Sequence, residues 1–167
     1  MTSGTPGTPA PSREGAAALA LESVSPLSPL AVAAVGHYFA EMSARFGFDA
    51  TGQSDKDARL LVPPTGLFVV AASGGEPVAC GGVQTIEEGV GEIKRMWVSA
   101  DWRGAGLGSR LLRHLESAAS DLGHAVVRLD TNDSLAEAIG MYERAGYVRI
   151  ERYNDNPHAT HFFEKRL

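Results

Sequence analysis

The stretch VSADWRGAGLGSRLL, Val98 to Leu112, decides how the chain is read. An apolar, strand-like run ends at Val98. Arg103 follows five positions later and opens Arg103-Gly104-Ala105-Gly106-Leu107-Gly108. Leucines at helical spacing come at once. Three glycines within five positions are costly to order, because glycine loses more backbone freedom on folding than any other residue. At a helix start such a loop has a chemical rationale. The first backbone N–H groups lack helical partners and lie at the positive end of the helix dipole. Glycine lets an anion approach them closely, so the loop suggests a ligand that bears phosphate.

Several loops fit that description. A P-loop ends in Gly-Lys-Ser/Thr, whereas Gly108 is followed by Ser109-Arg110, which excludes it. A dinucleotide fingerprint places G-x-G-x-x-G tight against the preceding strand. Here the spacing gives Gly104, Gly106 and Ser109, and the gap after Val98 is long. Asp130, at the end of the next strand, stands where a ribose-binding acid would, so that reading stays open. A glycine-rich connection with no ligand is the plain alternative.

Outward from the loop, the pattern gives a series of elements. Leu107, Leu111, Leu112, Leu115, Ala119 and Leu122 line one side of a helix. Before the loop, Leu67–Ala72, Pro77–Ile86 and Val90–Val98 read as three strands, joined by turns at 73–76 and 87–89 as an antiparallel meander. After it, Ala125–Asp130 reads as a strand. Ser134-Leu135-Ala136-Glu137 reads as a capping box that starts a helix running to Gly146. Tyr147–Tyr153 and Thr160–Leu167 read as closing strands. Upstream, Ala16–Val24 is a candidate first strand. Ser28-Pro29 opens a helix with Ala31, Val35, Tyr38 and Met42 on one stripe, and Phe46-Gly47-Phe48 ends it. His37, Glu41 and Arg45 lie off that stripe. Residues 49–59 are polar and read as a second short helix, closed by Pro63-Pro64. Residues 1–15 are rich in Thr, Ser, Pro and Gly and read as a disordered tail. The order β, α, meander, α, β, α, β, β describes one α/β domain over residues 16–167, with a mixed sheet and no internal repeat.

The whole chain narrows the class. Its 167 residues carry 44% apolar residues and a net charge of −5. An acidic balance argues against non-specific nucleic-acid or membrane binding and suits a cationic small molecule or peptide. Cys80, the single cysteine, allows no internal disulfide and reads as a small buried hydrophobe. No run approaches the ~20 apolar residues that span a bilayer, and no signal peptide is evident. The expected compartment is the cytoplasm.

Arg103-x-x-Gly106-x-Gly108 resembles the Q/R-x-x-G-x-G/A loop of the GNAT superfamily of acetyl-CoA-dependent N-acetyltransferases. Glu92-Ile93-Lys94-Arg95-Met96-Trp97-Val98 resembles that family's fourth strand, at the expected distance from the loop. Ala138-Ile139-Gly140-Met141-Tyr142-Glu143-Arg144-Ala145-Gly146-Tyr147 resembles its A-x-x-x-Y-E-x-x-G-F/Y helix end. Phe162 to Leu167 resembles its closing strand. The resemblance covers Gly66 to Leu167. It implies a central, mostly antiparallel sheet with a splayed fourth strand, flanked by helices.

It also implies roles. The cofactor's pantetheine arm adds to Met96, Trp97 and Val98 through main-chain hydrogen bonds. The pyrophosphate falls to Arg103, Gly104, Ala105, Gly106, Leu107, Gly108 and Ser109. Arg110 and Arg113 either reach the adenosine phosphates or form a solvated face. Tyr142 stands at the general-acid tyrosine. Glu92 stands where one branch keeps its general-base glutamate, or is a structural strand residue. The family's cofactor-contacting asparagine falls on Leu135 here. Asn132 lies three residues earlier and either takes that contact or shapes the turn.

The acceptor side is less readable. Tyr38, Glu41, Arg45, Phe46 and Asp49 are candidates, since acids and aromatics suit an amine. The polar loop 154–161 carries His158 and His161, which suggest substrate contact; soft ligands for a metal are missing, so none is expected. The leading expectation is transfer of an acetyl group from acetyl-CoA to a primary amine, small molecule or peptide, in a ternary complex without an acyl-enzyme. A non-catalytic acyl-CoA-binding regulatory domain and a dinucleotide-dependent oxidoreductase are the alternatives. A homodimer is compatible with the scaffold.

Overall fold

A computed structural model describes residues 7–47 and 58–167. Phe48, Asp49 and most of the expected second short helix lie outside these residues. Within them the chain runs α1 (Arg13–Ala18), β1 (Glu22–Val24), α2 (Pro29–Phe46), β2 (Gly66–Ser73), β3 (Glu76–Glu87), β4 (Val90–Val98), α3 (Leu107–Asp121), β5 (Val126–Thr131), α4 (Ala136–Arg144), β6 (Val148–Ile150) and β7 (His161–Arg166). Short 3-10 turns occupy Ala58–Leu60 and Ala100–Trp102. The strands form one sheet in the order β1-β2-β3-β4-β5-β7-β6. Among the described residues no helix is long and apolar enough to cross a membrane.

Alternation along the central strands builds a core on each face. Side chains of successive strand residues point to opposite sides. Val69 and Ala71 join Leu107, Leu111, Leu112 and Leu115 of α3 in one buried cluster. Phe68 and Val70 join Ala31, Ala34 and Val35 of α2, with Cys80 and Trp97, in the other. Helix α2 begins as the sequence predicts. Ser28 Oγ accepts from the Ala31 amide at 3.3 Å, Pro29 follows, and Gly47 ends the helix in the left-handed region.

Two expectations at the helices are corrected. Residues 13–15, read as tail, and Ala16–Ala18, read as strand, form α1, and the strand shrinks to Glu22–Val24. Ser12 Oγ caps α1 by accepting from the Gly15 amide at 2.8 Å. The alanine-rich run that follows favours helix. Ala16 and Leu19, three apart, are buried against the α3 cluster. The capping box at Ser134 does not form either: α4 starts at Ala136, and its cap residue Leu135 makes no side-chain bond. Instead, Asn132 Oδ1 accepts from the Ser134 amide at 2.9 Å in a local turn. The loop 151–160 also takes the last three residues of the expected strand 147–153, leaving β6 three residues long.

Strand β4 breaks the regularity twice. Against β3 its register shifts: Cys80 pairs with Trp97 but Gly82 pairs with Lys94, so β4 carries an extra residue there. Arg95 lies in this bulge with φ of 53°, in the left-handed region. On its other edge β4 pairs in parallel with β5 only from Val90–Val126 to Glu92–Arg128. Beyond Glu92 the two strands part.

Candidate active site

A cleft of about 970 Å³ opens where β4 and β5 separate. Glu92 to Met96 line one wall and Arg128 to Thr131 the other. Tyr38, Phe39, Met42 and Phe46 of α2 form an apolar side, Tyr142 of α4 enters from the opposite face of the sheet, and the β6–β7 loop closes the rim with Tyr153 to Asn156 and His158. Of the sequence candidates, Glu92, Met96, Asn132, Tyr38, Phe46 and Tyr142 meet here.

The polar groups at the narrow end form a network. Glu92 is 4% exposed. Its Oε1 accepts from Gln84 Nε2 at 2.8 Å and lies 3.6 Å from Lys94 Nζ. Asn154 Nδ2 donates to Glu92 Oε2 at 3.3 Å and to Asp130 Oδ2 at 2.6 Å. Asn156 Nδ2 donates to Asp130 Oδ1 at 3.1 Å. Tyr153 places a buried hydroxyl in the same region.

The tyrosines are held protonated. Burial pushes Tyr38 up to about 12, with the Asp130 carboxylate adding to the shift and the Arg95 guanidinium opposing it. Burial likewise raises Tyr142, followed by Tyr38 and Asp130. The Tyr142 ring meets Tyr147 edge-on at 5.8 Å and Phe163 at 6.0 Å, which fixes its place in α4. Burial lifts the Cys80 thiol to about 12. The thiol is buried and faces Arg95 O at 3.3 Å, an environment for packing and not for nucleophilic attack.

The other sequence candidates lie elsewhere. Glu41 is not among the residues that line the cleft. Its carboxylate accepts from Trp97 Nε1 at 2.9 Å, from Arg45 Nη2 at 2.9 Å, and from Arg103 Nη2 at 2.5 and 2.7 Å. Burial alone would raise this carboxyl, but the Arg103 and Arg45 guanidiniums outweigh it and hold it below the usual carboxylate range. The Trp97 ring turns to α2 and stacks on His37 at 5.4 Å. Arg103 is therefore spent on Glu41 and on Val98 O, which accepts from its Nε at 3.0 Å.

The glycine loop faces a smaller hollow of about 180 Å³, with Ala105, Gly106 and Leu107 on one side and Arg13 and Ala17 of α1 on the other. Gly104 and Gly106 have φ of 77° and 86°, which glycine alone adopts without strain, and a Cβ at either would meet nothing within 4 Å. Gly106 caps α3 without a side chain, so no side-chain acceptor covers the first amides of the helix. Gly108 faces Met141 and Val98. Arg110 also lines the hollow, but its Nη1 donates to Ala16 O at 3.0 Å and to Leu19 O at 2.6 Å and so closes the end of α1. Asn132 lines the cleft, but its amide is engaged by the Ser134 amide and by His158 O, to which its Nδ2 donates at 2.6 Å.

Sequence reasoning missed Gln84, Tyr153 and Asn154, and weighed Asp130 only as a ribose contact. A glutamine inside the apolar run Ala79 to Ile86 was the available signal for Gln84. No local signal brings Asn154 to Asp130, which are 24 residues apart.

The profile of the acetyltransferase (GNAT) family matches residues 36–147. An IAA acetyltransferase of Azospirillum brasilense is 36% identical over 93 residues, 55% of this chain and 61% of that protein, so the chain spans about three fifths of that relative. An uncharacterized N-acetyltransferase of Schizosaccharomyces pombe is 32% identical over 70% of this chain and 76% of its own. Among solved structures, a protein of Klebsiella pneumoniae provisionally assigned as an acyl-CoA N-acyltransferase superposes with a TM-score of 0.71 at 29% identity, over 90% of this chain and 99% of that one.

Proposed function

Because the chain belongs to the acetyltransferase (GNAT) family, we propose that it transfers an acetyl group from acetyl-CoA to a primary amine by direct attack in a ternary complex. The observation that carries the reading is the meeting of Glu92 and Tyr142 in one cleft at the parting of β4 and β5. The open, uncapped start of α3 supports a pyrophosphate there, with Gly104 to Ser109 supplying amides. Free strand edge at Met96 to Val98, beyond the last rung to β5, suits the pantetheine arm.

The chemistry assigns the residues. An alkylamine with a pKa near ~10 is mostly protonated at neutral pH. Glu92 takes one proton from the ammonium, and the neutral nitrogen attacks the thioester carbonyl carbon. A backbone N–H of β4 beside the Arg95 bulge steadies the oxyanion. As the C–S bond breaks, Tyr142 gives its proton to the leaving thiolate and recovers one from the nitrogen. One proton leaves through Glu92 to solvent. The raised pKa of Tyr142 keeps it protonated until that step. Trp97, Asn132 and Arg103 enter only as backbone or neighbours of this path.

Calorimetric titration with acetyl-CoA, followed by thiol release with a panel of amines, tests the reading; NADH is the control. Acetyl-CoA binding with amine-dependent thiol release is expected. Tyr142→Phe should lower kcat tenfold or more while leaving acetyl-CoA affinity within twofold. Binding of NADH instead, or an unchanged kcat in that variant, overturns the cofactor class or the acid role respectively.

A further inference from the structure

The two carboxylates at the narrow end of the cleft are not equivalent. Glu92 has a cation within reach, Lys94 at 3.6 Å. Asp130 is held by two neutral amides, Asn154 at 2.6 Å and Asn156 at 3.1 Å, and among the described residues no cation pairs with it. Its half-buried charge is thus positioned but not neutralised. The single Nδ2 of Asn154 bridges both carboxylates and fixes them side by side.

A second observation points to a ligand. Gln84 is 6% exposed, lines the cleft and spends its Nε2 on Glu92, while its Oε1 is buried without a hydrogen-bond partner. Turning the amide over would not help, because it would set Oε1 against the Glu92 carboxylate. Buried polar atoms without partners are rare in folded proteins, and an unmet acceptor on a cleft wall is open to a ligand's donor. Two carboxylates and a spare amide oxygen make a set of acceptors for an N–H-rich cation. Along α2, by contrast, the cleft wall is Tyr38, Phe39, Met42 and Phe46.

We propose that Asp130 is the docking carboxylate for the acceptor's ammonium, and that the acceptor is a primary amine with an apolar or aromatic body and no carboxylate beside its nitrogen. This rests on the acetyltransfer reading above. The ammonium sits against Asp130 beside the Asn154 amide, within reach of Glu92, with the apolar body along α2. Asp130 is a specificity residue and Asn154 positions it. Glu92 then removes the proton. An acceptor carboxylate next to the nitrogen would face two fixed negative charges and is rejected. Asp130 also faces Tyr38 and Tyr142, both held protonated, so those neighbours add no charge to the pair.

The test compares 2-phenylethylamine with L-phenylalanine, which differ by that one carboxylate. Direct binding to the CoA-saturated protein is read by calorimetry, and transfer by thiol release. The amine should bind and react at least tenfold better than the amino acid. Asp130→Asn, which keeps shape, should weaken amine binding tenfold or more and narrow the preference, with acetyl-CoA affinity and melting temperature unchanged. Asn154→Ala should raise the KM for the amine with a smaller fall in kcat, and Asn154→Gln should recover part of it. Equal use of both compounds, an unchanged KM in Asp130→Asn, or no binding of the amine overturns the proposal. Amine binding that depends on Asp130 without any transfer would overturn the acetyltransfer reading and leave the subsite standing.

Discussion

One carboxylate, that of Glu41, joins α2 to β4 and to the connection after it. Trp97, Arg45 and Arg103 all donate to it. Glu41→Gln keeps the size and one acceptor oxygen but removes the charge that two guanidiniums use. Hydrogen bonds to charged groups contribute about 1.5–3 kcal/mol each when buried, and this side chain is partly exposed. A loss of about 1–2 kcal/mol is expected, read by urea denaturation; an unchanged midpoint would remove Glu41 from the account. The effect has a definite pH sense. Because the folded pKa is lowered, the stabilisation is present above the ordinary carboxylate pKa of about 4.3 and is lost as pH falls through the folded value. Sequence alone placed Glu41 one helical face from Tyr38 and Met42 but could not reveal Trp97 beside it, 56 residues away. Glu92 and Tyr142 were legible because each sits inside a motif. Asp130 and Asn154 were not, since what relates them is the β6–β7 loop folding back over β5.

At the level of elements, β4, the loop and α3 match the reading to within a residue, because alternation and leucine spacing are strong there. Strand and helix propensities compete more evenly in Arg13 to Leu21, and a serine cap with the docking of Ala16 and Leu19 decides for helix. At α4 the Asn132 turn overrides a plausible capping box. The loop before α3 offers the sharpest test of an element. Gly106→Glu should reduce acetyl-CoA affinity at least a hundredfold, because a carboxylate would occupy and repel the phosphate site. The left-handed backbone costs a side chain roughly 1–2 kcal/mol, and the space around it is open, so the fold should survive. Calorimetry with a melting curve separates the two effects. Retained affinity would mean that the phosphates lie elsewhere.

Across the whole molecule, stability should fall on mild acidification. His124, at the join between α3 and β5, is 7% exposed. Its Nε2 meets Thr85 Oγ1 at 3.0 Å and its Nδ1 has no partner. Burial lowers its pKa below the ordinary value near 6.5. Between those two values the unfolded chain binds more protons than the folded one, so stability drops as pH falls below about 6.5. Melting temperatures at pH 7.5 and 5.5 should show the drop, and His124→Gln should flatten it; equal slopes in both proteins would exclude His124. The mixed sheet and its helices were legible as a whole, yet the two-faced core was not, since which strand face meets α2 and which meets α3 follows from tertiary packing. The sheet itself has a seam. Strands β1 to β4 and strands β5 to β7 meet through three parallel rungs, Val90 to Glu92 against Val126 to Arg128. The glycine loop belongs to the first half, while Asp130, Tyr142 and Asn154 belong to the second. The cleft therefore takes one wall from each half, and whatever is held in it bridges the two.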